Sequence, residues 1–402
     1  MLFENWTIVP NYEKVDAPVS VRGGAIRADL KEGQYSLARV VGRTDGYRGK
    51  ADYRMTFSSR CDRGVKRQVF YNWLDADGKT LFMGHGAPKI EFTSPDGAAA
   101  LEITVCFLGY DGGHGELSDL KVEYLREHAE HHVRLAACMI THGGAYTPES
   151  NLAISLKRID AAAAAGADLA LLTETYNSRH VANLQDPFDA SSTMDDVYVT
   201  ALRDKAKEHR MFVAASVKLA EDGYVSNTCL IFGRDGNLVG RYTKTHHTMS
   251  EIWGGRLPGN DIPVFDTELG KIGVSICWDL FFPEHARVMF MKGVDIILNP
   301  TAGKCPFEHG ASGYCNGAFI LTANTSADPS LTRVTDRHGE TVAEADPEKG
   351  FVIADVDVNA YEPHYWLSAP DSYTDPRFVF MGERRPDLYG ILSETENTGY
   401  DF

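Results

Sequence analysis

At 402 residues the chain is longer than one ordinary hydrophobic core accommodates, and two domains are expected. Its composition, 43% hydrophobic and 24% charged, excludes disorder, and no run reaches the roughly 18 apolar residues that cross a bilayer. A net charge of −16 with no offsetting basic run excludes the nucleic-acid backbone as a partner. The opening MLFENWTIVPNYEK lacks a basic start, an apolar core and a small-residue cleavage site, so a cytoplasmic location is expected. Cys61, Cys106, Cys138, Cys229, Cys277, Cys305 and Cys315 are odd in number and form no CxxC pair, which fits free thiols in a reducing compartment.

Residues 1–130 read as all-β. Leu101, Ile103, Val105 and Phe107 alternate with Glu102, Thr104 and Cys106, and Leu120, Val122 and Tyr124 alternate with Lys121 and Glu123. Val69 to Leu74 and Thr80 to Met83 flank Asp75-Ala76-Asp77-Gly78, a hairpin sequence. Strands without helical periodicity predict a β-sandwich, and its closing strands resemble a carbohydrate-binding-type jelly roll. The histidine-rich stretch REHAEHHVR, 126–134, marks the domain boundary. His128, His131 and His132 have no second ligand cluster at a zinc-like spacing, so a solvated linker is expected there and no metal.

From residue 135 strands and helices alternate. Leu135 to Ile140 reads as a strand; Thr147 caps a helix with Pro148 at its first position; Gly166 ends that helix ahead of the buried strand Asp168 to Thr173. A helix from Asp195 to Glu208 and a strand from Met211 to Leu219 follow, and Arg234-Asp235-Gly236 turns a hairpin. An internal echo links Gly166-Ala167-Asp168 before LALL to Gly293-Val294-Asp295 before IIL. Two such units predict two similar halves packed sheet on sheet with helices outside. Residues 359–402, rich in Tyr, Pro and Asp, read as an irregular tail.

The chemistry converges on KIGVSICWDLFFPEHAR, 271–287. Ile272 to Ile276 reads as a strand buried on both faces, ending at Cys277. Pro283 and Glu284 then open a helix whose peptide dipoles are expected to favour the thiolate. A lone cysteine in apolar surroundings is more often inert core filling. Glu174 ends the uncharged strand LALLT and Lys244 ends a hairpin strand, so three element ends offer a desolvated base, a cation and a thiol that want each other.

This order resembles the nitrilase (carbon–nitrogen hydrolase) superfamily, on LALLTETYN, GRYTKTH, VFDTELGKIGVSICWDLFFPEHAR and ILNPTA, within residues 135–358. The resemblance implies a four-layer αββα sandwich, here with an all-β amino-terminal domain added. It also implies a Glu174-Lys244-Cys277 triad, with Glu251 as a second glutamate and the backbone N–H of Trp278 as an oxyanion donor. Where the family often has proline before the base, Thr173 stands here. LFFPEHAR after Cys277-Trp278-Asp279, and RRPDLYG at 384–390, are closer to N-carbamoylputrescine amidase-like sequences than to true nitrilases. The implied activity is therefore hydrolysis of an amide or N-carbamoyl bond in a small molecule through a thioester, without cofactor or metal, by a homo-oligomer. The alternatives are nitrile hydrolysis, or a non-catalytic glycan-binding protein with a vestigial hydrolase domain.

Overall fold

The computed structural model describes residues 3, 5–141, 143–304, 306–360, 364–365, 373–374 and 376–394; Cys305 lies outside them. The chain divides into two compact units, Met1–Ala129 with Tyr361–Phe402, and Glu130–Ala360. Among the described residues no helix is long and apolar enough to cross a membrane.

The first unit is built from two five-stranded antiparallel sheets. The alternation at 101–107 produces the strand Ala100–Gly109, whose Leu101, Ile103, Val105 and Phe107 are wholly buried. They meet Tyr53, Tyr71, Trp73 and Phe92 in one aromatic core. The predicted hairpin joins Lys66–Leu74 to Thr80–His85, and Gly78 turns it at φ 80°, a backbone setting glycine adopts without a Cβ clash. The tail groups with this unit, contrary to an irregular reading, through a helix at Pro376–Gly382. Lys66 Nζ donates to Asp387 Oδ2 at 2.9 Å.

The second unit has four layers. One sheet runs in the order Leu238–Thr243, Tyr224–Phe232, Phe212–Glu221, Leu169–Leu171, His132–Cys138, Phe351–Asp357. The other runs Val264–Thr267, Gly270–Val274, Ile296–Thr301, Phe319–Asn324, Arg333–Thr335, Thr341–Glu344. Side chains alternate along each strand. Val133, Leu135 and Ala137 therefore face Ile272, Val274, Ile296 and Leu298 in a core between the sheets. Ala136 and Cys138 face outward to Ile159 and Ala162 of the helix Pro148–Ala164, and the helix Pro283–Met291 covers the other sheet with Ala286 and Met289. The predicted cap holds, with Thr147 Oγ1 accepting the Ser150 N–H at 3.2 Å. The strand before Glu174 is shorter than expected, only Leu169–Leu171.

The sequence echo is a structural repeat. Gly166 and Gly293 adopt φ 81° and 82°, closing their helices in the left-handed region that glycine favours. Asp168 Oδ2 accepts the Arg134 N–H at 2.9 Å, and Asp295 Oδ2 accepts the Lys271 N–H at 2.9 Å. Arg234 pairs with Asp168 Oδ1 at 2.8 Å and lies over the Phe212 ring; Arg337 reaches Asp295 Oδ1 at 3.6 Å and lies over Phe319. Each aspartate pins the start of the neighbouring parallel strand, so both halves register their sheets by the same joint.

Candidate active site

Three strand ends of the second unit converge. Lys244 follows Leu238–Thr243, its backbone tied back by its N–H to Asn227 O at 2.9 Å. Its side chain is 1% exposed, and Nζ donates to Glu174 Oε1 at 3.0 Å and to Glu251 Oε1 and Oε2 at 3.0 and 2.8 Å. Burial opposes the ammonium charge, but the carboxylates of Glu174 and Glu251 outweigh it and raise the lysine above its ordinary value. Glu251 sits on the short helix Met249–Trp253, where it also accepts the Thr248 N–H and hydroxyl, each at 3.0 Å. Burial would push Glu251 up, yet Lys244 holds it below the usual carboxylate range.

Glu174 lies just past Leu169–Leu171 and is buried. Besides Lys244, its Oε1 accepts Asn227 Nδ2 at 3.0 Å, and its Oε2 pairs with Arg179 Nη2 at 3.1 Å. Asn227 Nδ2 also reaches Glu251 Oε1 at 3.2 Å, bridging the two glutamates. Sequence reading missed both partners. Asn227 is a buried amide within an otherwise largely apolar strand, a position that demands a polar partner and so carried a signal. Arg179, in an aperiodic loop five residues beyond Glu174, carried none.

Cys277 begins a 3₁₀ turn, Cys277–Phe281, directly after the buried strand Gly270–Val274 and two linking residues. Its φ is 48°, a left-handed setting costly for a residue with a Cβ and concentrated at functional sites. The α-helix starts only at Pro283. The expected thiolate-favouring environment is not what forms: burial, then the charge of Glu174, push the Cys277 thiol up, and Lys244, the Thr301 hydroxyl and the Ala302 N–H offset this only in part. A thiol raised in this way would need a neighbouring base before its sulfur could attack.

Asp279, wholly buried, ties this turn to the lysine loop. Its Oδ2 accepts the Ile276 N–H at 2.9 Å and the Tyr242 hydroxyl at 2.8 Å, and its Oδ1 accepts the His246 N–H at 2.9 Å. Burial would push Asp279 up, but the His246 side chain, at 3.0 Å from Oδ1, and His285, with the His246 N–H and the Tyr242 hydroxyl, hold it below the usual carboxylate range. His285 Nε2 meets the Tyr242 hydroxyl at 2.9 Å, and burial lowers His285 to about 4. Two imidazoles and a carboxylate so placed have metal-ligand spacing, but both Asp279 oxygens are engaged by protein donors. Trp278 follows Cys277 and is 37% exposed.

At the boundary, His128 Nδ1 lies 2.8 Å from Asp52 Oδ1 and His132 Nδ1 2.7 Å from Asp355 Oδ1, so each histidine contacts a carboxylate. Among the described residues, the cysteines other than Cys277 are also free thiols. Burial pushes Cys138 and Cys229 up to about 12.

Residues 134–364 match the family model for carbon–nitrogen hydrolases. The omega-amidase NIT2 of Xenopus tropicalis is 28% identical over 268 residues, 60% of this chain and 91% of that protein. Nitrilase homolog 2 of Dictyostelium discoideum is 28% identical over 273 residues, 61% of this chain and 79% of that one. An amidase from Nesterenkonia sp. shares the fold, with a TM-score of 0.53 at 20% identity over 65% of this chain and 97% of that chain. One structure of that amidase is described with acrylamide added at the active site cysteine. Since the family model spans more than half of the sequence, the chain belongs to the carbon–nitrogen hydrolase family and is an enzyme of the nitrilase superfamily.

Proposed function

We propose that this enzyme hydrolyses the carbon–nitrogen bond of a small amide or N-carbamoyl compound through a thioester on Cys277. The observation that carries the reading is the buried chain Glu174–Lys244–Glu251, with both carboxylates on one ammonium and Cys277 close enough to feel Glu174 and Lys244. Glu174 takes the proton of the raised thiol as sulfur attacks the carbonyl carbon. Lys244 and the Trp278 backbone N–H receive the negative charge that moves onto oxygen. Glu174 returns the proton to the departing nitrogen, the C–N bond breaks, and the acyl group stays on sulfur. Glu174 then takes a proton from water, which attacks the thioester; the acid leaves and Cys277 regains its proton. Glu251 holds Lys244 in place throughout.

The names of the relatives, omega-amidase and amidase, support an amide over a nitrile as substrate. Ammonia release should be followed over ω-amides of dicarboxylic acids, N-carbamoyl amines, simple primary amides and nitriles. Turnover of at least one amide or carbamoyl compound that disappears in Cys277→Ala is expected. Turnover of nitriles alone, or turnover unaffected by that substitution, would refute the reading.

A further inference from the structure

The sulfur of Cys277 has polar neighbours to which the proposed reaction gives no task. Thr301, which ends the strand Ile296–Thr301, and Ala302 bring a hydroxyl and a backbone N–H to it, while Glu174 and Lys244 are the charged groups that act on it from strand ends of the other sheet. The direction of the hydroxyl follows from its second contact. Thr301 Oγ1 accepts the Gly303 N–H at 3.1 Å, a threonine side chain closing a turn on its own backbone. A hydroxyl oxygen that accepts on one side still has its single proton to donate, and that proton goes to the sulfur.

Asn324 fixes this turn from behind. It is wholly buried and stands opposite Thr301 in the parallel register. Its Nδ2 donates to the Gly303 carbonyl at 2.6 Å, its Oδ1 accepts the Ser326 N–H at 2.8 Å, and its own N–H donates to the Thr332 hydroxyl at 3.0 Å. The Thr325 N–H donates to the Thr301 carbonyl at 3.1 Å. Both backbone polar groups of Gly303 are therefore held, one by Thr301 and one by Asn324. Earlier in the same strand, Asn299 Nδ2 donates to the Ser275 carbonyl at 2.6 Å, so the strand that delivers the two donors also grips the chain two residues before Cys277. A neutral thiol is a weak acceptor and gains little from two such donors. A thiolate gains much more, because hydrogen bonds to an ionised partner are stronger and a buried site does not screen them.

We propose that the Thr301 hydroxyl and the Ala302 N–H form a cradle for the charged sulfur, with Asn324 as the positioning residue that holds the cradle in place. When Glu174 removes the thiol proton, the electron pair left on sulfur is met by these two donors until it forms the bond to the carbonyl carbon. When water cleaves the thioester, the pair returns to sulfur and to the same donors until Glu174 gives a proton back. The part played in turnover rests on the function proposed above; the cradle itself does not.

The test uses the full chain and the rate at which iodoacetamide alkylates Cys277 as a function of pH, read by mass spectrometry on the peptide that carries it, which needs no turnover. Thr301→Val keeps the shape and removes the donor. It is expected to slow alkylation at neutral pH about tenfold and to move the midpoint of the profile upward by about one pH unit. Thr301→Ser, which keeps the hydroxyl, should stay within about threefold of wild type. Asn324→Ala should move the profile in the same direction by less, and with any amide that wild type hydrolyses both Thr301→Val and Asn324→Ala should lower kcat more than they change KM. A profile unmoved in Thr301→Val, or moved as far in Thr301→Ser, would overturn the cradle, and an Asn324→Ala profile identical to that of wild type would overturn the positioning role. The expected shifts in a protein that hydrolyses no amide or carbamoyl compound would uphold the cradle and refute the amidase reading, whereas unshifted profiles in a protein that does hydrolyse them would overturn the cradle alone.

Discussion

Asp279 accepts the backbone N–H of His246 at 2.9 Å, two residues beyond Lys244, while its other oxygen accepts the N–H of Ile276, the residue before Cys277. One buried carboxylate thus ties the turn that carries Cys277 to the loop that carries Lys244. In Asp279→Asn the amide must turn a donor toward one of these N–H groups. The expected result is a loss of about 2–3 kcal/mol of stability and a fall in kcat of up to about 100-fold through misplacement of the reacting groups, with a smaller change in KM. Urea unfolding and steady-state kinetics on the same preparation check both parts.

The left-handed backbone of Cys277 makes glycine the better inert replacement. Cys277→Gly is expected to be more stable than Cys277→Ala by about 1 kcal/mol, since alanine keeps the Cβ that this conformation penalises. Chemical denaturation of the two inactive variants decides the point, and equal midpoints would mean that the site relaxes away from this conformation once sulfur is gone.

Acid should destabilise the protein through neutral histidines. His285 is lowered to about 4, and His309, which accepts from Arg333 Nη2 at 3.1 Å, to about 3. For His285, burial is the first cause. Between about pH 6.5 and pH 4 the unfolded chain binds a proton at His285 and the folded chain does not, so stability drains as pH falls through that window, by about 3 kcal/mol. His285→Gln is expected to flatten this part of a stability-against-pH curve measured by denaturant titration; a slope identical to that of wild type would refute the assignment.

Arg179 holds Glu174, the proposed base, at two points. It pairs with Glu174 Oε2 at 3.1 Å, and its Nε donates to the Glu174 carbonyl oxygen at 3.2 Å, so one planar group grips both ends of the residue. Arg179→Gln is expected to lower kcat by roughly tenfold through lost orientation, and Arg179→Lys, which restores charge but not the fork, should recover part of it. Steady-state kinetics that show equal kcat in all three proteins would remove Arg179 from the site.

Alternation along 101–107, the Thr147-Pro148 cap and the glycine closures at 166 and 293 made the layers legible, because each is a local signal that packing then uses. Glu174, Lys244 and Cys277 were legible as element ends and Glu251 only through the family resemblance, and the structure brings these residues together. What sequence could not supply is how the remaining valences are filled. Arg179 reaches the cluster from an irregular segment without periodicity, and Asp279 bonds to atoms 33 and 3 residues away. The thiol also differs from its expectation. Reading Pro283 as the start of a helix was correct, but the intervening turn separates Cys277 from that helix end, and burial then governs its proton.

The matched aspartate joints carry a historical consequence. Six residues beyond Asp168 stands Glu174, and six beyond Asp295 stands Thr301, whose hydroxyl donates to the Cys277 sulfur. Descent from a duplicated ancestor would make these two positions siblings, one carrying the carboxylate paired with Lys244 and the other the hydroxyl beside the thiol. Lys244 belongs to the first copy and Cys277 to the second, so neither sibling inherits a working set. Their specialisation makes the cluster depend on both copies, because either copy alone would hold the carboxylate without the thiol or the thiol without the carboxylate.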